Sequence, residues 1–180
     1  MCPKLKYQIS NYKFSVKIQN LLWKKTLEVL KKCFFQSLKQ YGNFLVFKDN
    51  FCFTLFQPAK KTGLSHLNVT HLKDKSDILK VAQKIRRYIC GELLLSTLKI
   101  DNITASSHIN REIDLYLFYL QNSDRFTILY KKEKFPGCFI KTASGTALLF
   151  HTGKVIVVGC KTAKQIECLL EKISASTWIA

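Results

Sequence analysis

The residues that most often carry enzymatic or metal chemistry are scattered through this sequence without a recognisable pattern. The four histidines show no metal-ligand spacing, and no two of the seven cysteines stand at C-x-x-C spacing. No G-x-S-x-G motif is present, and residues 145–154 do not match the phosphate-binding pattern G-x-x-x-x-G-K-[ST]. We therefore predict a protein that is not an enzyme and has no metal site, no cofactor and no small-molecule substrate. Most of the cysteines are expected to be buried thiols; they are Cys2, Cys33, Cys52, Cys90, Cys138, Cys160 and Cys168.

The composition instead indicates electrostatic binding to a negatively charged partner. The 180 residues include 29 Lys and Arg against 12 Asp and Glu, a formal net charge of +17, together with 47% hydrophobic residues. That apolar content excludes a disordered basic tail, and the charge favours a polyanionic partner, either nucleic acid or an anionic membrane surface. Apolar runs such as residues 155–158 are too short to span a bilayer, and residues 1–7 lack the apolar core of a secretory signal. We expect a folded basic protein that stays inside the cell.

Residue types also recur at a fixed distance along the chain, which indicates an internal duplication. Residues 9–18 align with residues 100–109 at an offset of 91, and the same offset places Phe44 on Phe135. Further on the offset becomes 88 and pairs Lys73 with Lys161, so one half has gained or lost three residues in a loop. We predict two repeats, residues 1–90 and 91–180, fused into one structural unit.

Both predicted repeats contain the same order of elements. A strand around Asn11 or Asn102 leads into a helix, then three strands with turn residues between them, then a closing helix. Such an order implies an α+β fold, in which helices cover one face of a curved antiparallel sheet and the other face stays free for a ligand. The predicted strands are 43–47, 51–56 and 67–72, then 137–142, 146–151 and 154–158. The predicted helix faces are Leu27, Leu30, Phe34 and Leu38; Ile78, Val81, Ala82 and Ile85; Ile113, Leu117 and Leu120; and Ile166, Leu169, Leu170 and Ile173.

Four motifs in the second half carry a family resemblance. They are an I-x-N-I start at residues 100–103, a Y-x-x-x-x-F-P-G loop at 130–137, an L-x-F-x-x-G-K hairpin at 148–154 and a V-x-G-x-K exit at 157–161. In this order and spacing they resemble the second repeat of the TATA-box-binding protein family. Residues 7–89 resemble the first repeat more faintly. The resemblance implies a pseudo-twofold saddle of two repeats, with the helices on its convex face.

What the resemblance implies for function is binding and bending of A·T-rich double-stranded DNA through the minor groove. Two pairs of phenylalanines would open base steps, two asparagines would donate hydrogen bonds to acceptors on the groove floor, and lysines would contact phosphates. The implied partners are general transcription factors or RNA polymerase machinery, similar to TFIIB or TFIIA, with no membrane. The implied location is the nucleus, or a cytoplasmic viral transcription site. The implied DNA-binding residues are Asn11, Phe44, Phe56, Thr70, Lys73, Asn102, Phe135, Lys141, Leu148, Phe150, Lys154, Val158 and Lys161.

The sequence departs from the family pattern in ways that predict altered specificity. Val158 is the counterpart of Thr70, and Lys13, the counterpart of Thr104, stands where the family has a small apolar groove residue. These differences between the repeats predict a one-way orientation on DNA. Asn68 and Thr54 add polar groups to the same surface, and His71 replaces the glycine kept as Gly159. The loop at 131–134 is Lys-Lys-Glu-Lys where the family is acidic and TFIIB docks, which predicts weak or absent binding of ordinary TFIIB.

Two other functions stay open at this point. An RNA-binding surface would need exposed aromatic residues flanked by basic ones, and Phe51, Phe53 and Tyr130 are candidates for it. A protein-interaction subunit that keeps the fold but has lost sequence-specific DNA binding is favoured by the polar residues Lys13 and Asn68 and opposed by the net charge.

Overall fold

The chain folds into two compact units, and residues 5–10 belong to the same unit as the second half of the chain. The computed structural model describes residues 5–177. One unit, here the N-unit, is residues 11–101; the other, the C-unit, consists of residues 5–10 and 102–177. Two long strands, β1 (Tyr7–Gln19) and β6 (Glu92–His108), each contribute one part to either unit. The predicted boundary between residues 90 and 91 separates two repeats of similar sequence, whereas the units described here are defined by compactness. The repeat boundary therefore stays a prediction.

The N-unit is an antiparallel sheet with two helices. Its strands are hydrogen-bonded in the order β2-β3-β4-β5-β1-β6, and the pairs from β2 to β1 are antiparallel. Between its parts of β1 and β6 the elements are α1 (Trp23–Cys33), β2 (Lys39–Tyr41), β3 (Phe44–Lys48), β4 (Cys52–Phe56), β5 (Ser65–Leu72) and α2 (Asp77–Ile85).

The C-unit repeats this arrangement. Its strand order is β1-β6-β10-β9-β8-β7, and the pairs from β6 to β7 are antiparallel. Strand, helix, four strands and helix therefore follow one another in both units, in agreement with the prediction of about five strands in each half, although the edge strands β2 and β7 were not located from the sequence. The elements after β6 are α3 (Leu115–Asn122), β7 (Thr127–Tyr130), β8 (Gly137–Thr142), β9 (Gly145–Phe150), β10 (Lys154–Cys160) and α4 (Ala163–Thr177).

Period-two alternation in the strands separates a buried face from a half-exposed face. In β4, Phe53 and Leu55 are buried while Thr54 and Phe56 are only half-buried, and the other central strands alternate likewise. The helices bury one apolar stripe each, and α4 packs against β9 and β10. The predicted apolar faces of α2 and α4 are buried as expected; they are Ile78, Val81, Ala82 and Ile85, and Ile166, Leu169, Leu170 and Ile173.

Several predicted details were wrong. Helix α1 ends at Cys33, so Phe34 and Leu38 lie beyond it, although Phe34 still packs on Phe47 at a ring-centroid distance of 5.0 Å. Helix α3 begins later than its pattern suggested, because the Asp114 carboxylate accepts the N–H groups of the first turn. Its buried residues are Leu115, Phe118 and Asn122, whereas Ile113 precedes the helix and Leu117 and Leu120 are exposed.

The cysteines are less buried than expected. Among the six in residues 5–177, only Cys138 and Cys160 are buried, and Cys33 and Cys168 are exposed; Cys2 lies outside the described residues. Burial raises the pKa of the Cys138 thiol to about 12 and raises that of Cys160 as well. Both thiols therefore stay protonated and inert near neutral pH.

Candidate nucleic-acid interface

Each unit has a half-exposed sheet face opposite its buried one, here called the open face. The open faces carry the predicted DNA-binding residues that lie within strands, namely Asn11, Phe44, Phe56 and Thr70 in the N-unit, and Asn102, Lys141, Leu148, Phe150, Lys154 and Val158 in the C-unit. Phe135 lies in the loop before β8 and reaches the ring of Phe150. The predicted residues are thus gathered on one face of each sheet.

The two asparagines occupy equivalent and unusual positions beside β-bulges. In the N-unit the pairing of β1 with β5 shifts between Tyr12 and Phe14, and His71 at the bulge has a φ of +72°. Its backbone N–H donates to Oδ1 of Asn11, with an N···O distance of 2.7 Å. A bulge inserts one unpaired residue and increases the local twist, so a side-chain acceptor is needed for the N–H that leaves the ladder.

The C-unit contains the same device. The pairing of β10 with β6 shifts between Val157 and Cys160, and Gly159 has a φ of +88°. The Gly159 N–H donates to Oδ1 of Asn102 at 2.6 Å. Since the carbonyl oxygen of each amide is used inside the protein, each side chain turns its NH₂ group away from the bulge. The two asparagines are therefore held as hydrogen-bond donors.

The phenylalanine pairs have nearly equal ring spacings. The ring centroids of Phe44 and Phe56 lie 5.6 Å apart, and those of Phe135 and Phe150 lie 5.7 Å apart. All four side chains are half-buried, so their ring edges meet solvent. Exposed aromatic pairs of this kind offer apolar wedges without a polar atom that needs a partner.

The pairs are nevertheless built differently. Phe44 is the direct cross-strand partner of Phe56, but the partner of Phe150 is Gly137, and Phe135 comes two residues earlier. A Cβ on Gly137 would lie 2.9 Å from the carbonyl oxygen of Leu149 and 3.0 Å from Cε1 of Phe135. The absence of a side chain at Gly137 lets the Phe135 ring fold over it.

Two aromatic neighbours of the wedges were not predicted. Tyr41, on edge strand β2, stacks on Phe44 with ring centroids 5.2 Å apart. Phe139 lies 4.7 Å from Phe135 by the same measure. The alternation of Phe139 with the buried Cys138 and Ile140 was a usable signal, whereas the three-residue strand that carries Tyr41 gave none.

The predicted phosphate-contacting lysines are all exposed, although they come from different parts of the fold. Lys141 is on β8 and Lys154 begins β10, while Lys73 and Lys161 lie just after β5 and β10. Among residues 5–177 none of these lysines forms an ion pair with a carboxylate. Their charges remain available to an external anion.

Thr70 and Val158 precede the left-handed residues of the two bulges, and Lys13 and Thr104 lie on the opposing strands. Thr70 Oγ1 is 3.0 Å from Nδ1 of its neighbour His71. The two sheet faces thus differ chemically at matching places. No helix among residues 5–177 is both long and apolar enough to cross a bilayer, and the same residues contain no group of three or more His, Cys, Asp or Glu placed to hold a metal ion.

Comparison with known proteins agrees with this geometry. Residues 97–176 match the model of the family described as transcription factor TFIID, or TATA-binding protein (TBP). The chain is 31% identical over 114 residues to the TATA-box-binding protein of Methanococcus aeolicus, and 34% identical over 88 residues to that of Archaeoglobus fulgidus. The second half of the chain is thus similar to the TBP family.

The aligned segments make up only part of each protein. They cover 59% of this chain and 60% of the Methanococcus aeolicus TBP, and 44% and 46% in the Archaeoglobus fulgidus case. The fold is shared over a much longer stretch, because the Methanococcus jannaschii TBP structure matches 97% of this chain and 99% of its own with a TM-score of 0.78 at 21% identity. The predicted α+β TBP fold is therefore confirmed.

Proposed function

We propose that this protein is a TBP-like transcription initiation factor that binds the minor groove of A·T-rich duplex DNA and bends it. The observation that carries the proposal is the presence, on the open face of each unit, of an asparagine fixed as a donor beside a bulge and of a phenylalanine pair at matching spacing. A minor groove presents mainly acceptors along A·T pairs, which is what two outward NH₂ groups complement.

In the proposed complex the three kinds of residue have separate tasks. The NH₂ groups of Asn11 and Asn102 donate to adenine N3 and thymine O2, which both base-pair orientations offer. The pairs Phe44–Phe56 and Phe135–Phe150 insert between base steps, and their rings replace part of the lost stacking. Thr70, Leu148 and Val158 contact the groove walls. The exposed lysines add affinity without sequence choice; they are Lys73, Lys141, Lys154 and Lys161.

The partners and location follow from the same proposal. A TBP-like factor acts with general transcription factors or RNA polymerase machinery, in the nucleus or at a cytoplasmic viral transcription site. The docking loop of the C-unit carries Lys131, Lys132 and Lys134, all exposed, so it does not serve a partner that requires an acidic surface. A pull-down with ordinary TFIIB is expected to recover little or none of this protein under conditions that recover an archaeal TBP. Recovery at equal affinity would refute this part.

Base analogues separate minor-groove binding from other kinds. An inosine·cytosine pair resembles A·T in the minor groove, because it lacks the guanine amino group, but resembles G·C in the major groove. We expect a mobility shift of equal strength, at one stated salt concentration, with an A·T-rich duplex and with its inosine·cytosine counterpart. Binding of the A·T duplex alone would point to the major groove, and binding of neither would reject the proposal.

The comparisons do not favour a protein-interaction subunit without DNA binding. Members of the family are transcription factors, which also agrees with the prediction that the chain is not an enzyme.

A further inference from the structure

The same transverse row of residues crosses both open faces, with opposite chemistry. In the C-unit the strand pairings align Leu129 with Phe139, Phe139 with Leu148, and Leu148 with Ile156. These four residues, here called the C-row, form an apolar strip. The row continues to Ser106 on β6, which pairs with Ile156 and is the equivalent of Ser15, so the hydrocarbon surface is confined to β7–β10.

In the N-unit the equivalent strands give a polar row. Val46 pairs with Thr54, Thr54 with Asn68, and Asn68 with Ser15. Element by element, Thr54 on β4 corresponds to Leu148 on β9, and Asn68 on β5 corresponds to Ile156 on β10. The four paired residues of the N-unit, Val46, Thr54, Asn68 and Ser15, are called the N-row.

The polar groups of the N-row have no task within the protein. Among residues 5–177, the side chains of Thr54, Asn68 and Ser15 have no hydrogen-bond partner, in contrast to Asn11 and Asn102, whose Oδ1 atoms are engaged. Thr54 and Asn68 are half-buried on the open face. Asn68 is therefore able to turn its carbonyl oxygen outwards and to accept a hydrogen bond, which the two bulge asparagines cannot do.

A recess lies beside these groups. A cavity of about 580 Å³ opens on the N-unit, and Asn68, Ser15, His66, Lys17 and Phe56 contribute to its lining. Its charged lining residues are Lys17, Lys99 and Asp101. Asp101 is 3.7 Å from Lys99, with which it forms an ion pair, so among these three the charge of Lys17 is left uncompensated. The recess thus combines acceptor atoms with a field that suits a nucleic acid.

The guanine 2-amino group has the chemistry that this site accommodates. It is the only hydrogen-bond donor on the minor-groove floor, it projects from that floor, and it distinguishes G·C from A·T there. Against the C-row its N–H groups would be buried without an acceptor, which is costly. Against the N-row, Asn68 Oδ1, which lines the recess, and Oγ1 of its cross-strand neighbour Thr54 are acceptors.

We propose that the N-row is a recognition site for the guanine amino group, so that the DNA half-site on the N-unit accepts G·C pairs while the half-site on the C-unit requires A·T. This inference rests on the proposed minor-groove binding. It also gives the protein a direction on its site, because a G·C pair is tolerated on one side only.

The test compares guanine with inosine, which differ only in the amino group in question. A G·C pair is placed at each position of an A·T-rich duplex in turn, each with an inosine·cytosine control, and dissociation constants are measured at one salt concentration. We expect guanine to bind at least as tightly as inosine at one or two positions in one half of the site. At positions in the other half guanine should bind at least about fivefold more weakly, the value of one unmade hydrogen bond.

Reciprocal variants connect the tolerant positions to the N-row. Asn68→Val combined with Thr54→Val should make guanine about fivefold worse than inosine at those positions and leave A·T affinity within about twofold. Ile156→Asn should create tolerance in the opposite half. Ser123→Ala, which removes an exposed hydroxyl just after helix α3 and away from the strands, should change neither pattern.

The possible failures are distinguishable. If no A·T or inosine·cytosine duplex is bound, the proposed function and this inference both fail. If those duplexes are bound but guanine is penalised equally at every position, or if the Asn68 and Thr54 variant keeps the tolerance, the proposed function stands and the amino-group site is refuted.

Discussion

At the scale of single residues, the two asparagines do more than mark a repeat. Each has its carbonyl oxygen tied to a backbone N–H at a bulge, through Gly159 in one unit and His71 in the other. That bond fixes which end of the amide faces outwards, so structure and proposed recognition depend on opposite ends of one side chain. A substitution that preserves one end and changes the other should separate the two roles.

Asn102→Asp makes that separation. The carboxylate still accepts the Gly159 N–H, so the melting temperature should stay within about 2 °C of the parent. The outward NH₂ is replaced by a negatively charged oxygen, so affinity for an A·T-rich duplex should fall by at least about tenfold. Thermal unfolding and a binding titration on the same preparation check both expectations. Equal loss of stability and of binding would mean that the residue is only structural.

The bulge residues themselves carry unequal strain. His71 has a φ of +72°, a region that costs a non-glycine residue about 1 kcal/mol, whereas Gly159 at +88° pays no such cost. His71→Gly should therefore stabilise the protein by about 0.5–1 kcal/mol, while Gly159→Ala should destabilise it by about 1 kcal/mol or more. Denaturant unfolding measures both. A destabilising His71→Gly would show that the contact between His71 and Thr70 outweighs the strain.

At the scale of elements, the sequence correctly predicted the helices and strands that have a long, regular apolar pattern. Helices α2 and α4 were found with the correct buried faces, and β8 was found at its observed bounds. The edge strands β2 and β7 were missed because three or four residues do not establish a period. Helix α3 was misplaced because its capping aspartate, Asp114, sets its start rather than its apolar spacing.

The candidate site was predictable only in part, because the sequence does not show which residues are neighbours across strands. Paired asparagines and phenylalanines are visible as repeated letters, but the N-row and the C-row exist only once cross-strand register is known. Thr54 and Asn68 look like isolated polar intruders along the chain, and in the sheet they are neighbours.

Burial of the Cys138 thiol in strand β8 makes the free energy of unfolding depend on pH. The Cys138 thiol has its pKa raised by burial from about 9 to about 12. Between those values the unfolded chain releases a proton that the folded chain keeps, so this contribution to stability is complete below about pH 9 and is lost as the pH rises towards 12. The slope due to this residue should reach at most about 1.4 kcal/mol per pH unit. Cys138→Ala should flatten the decline in unfolding free energy between pH 9 and 10.5, and an unchanged slope would contradict this assignment.

At the scale of the whole molecule, the positive charge is concentrated in one half of the chain and the clearer TBP motifs lie in the other. Residues 1–90 carry 18 basic and 4 acidic side chains, a net +14, whereas residues 91–180 carry 11 and 8, a net +3. The half with the stronger TBP motifs is the less charged one. Long-range attraction to DNA should therefore come mainly from residues 1–90, whereas three of the four lysines proposed to contact phosphates directly lie in residues 91–180.

The central claim is that phenylalanine wedges bend A·T-rich DNA, and energy transfer between dyes at the two ends of a short duplex tests it most directly. The double variant Phe135→Ala and Phe150→Ala removes the pair whose rings lie 5.7 Å apart. Phe35→Ala is the matched control, because that ring is 84% exposed after helix α1 and outside both wedge pairs. We expect the parent and the control to shorten the end-to-end distance on binding, and the double variant, at saturating protein, to leave the duplex much straighter. If the double variant bends the duplex as strongly as the parent, the wedge account is contradicted.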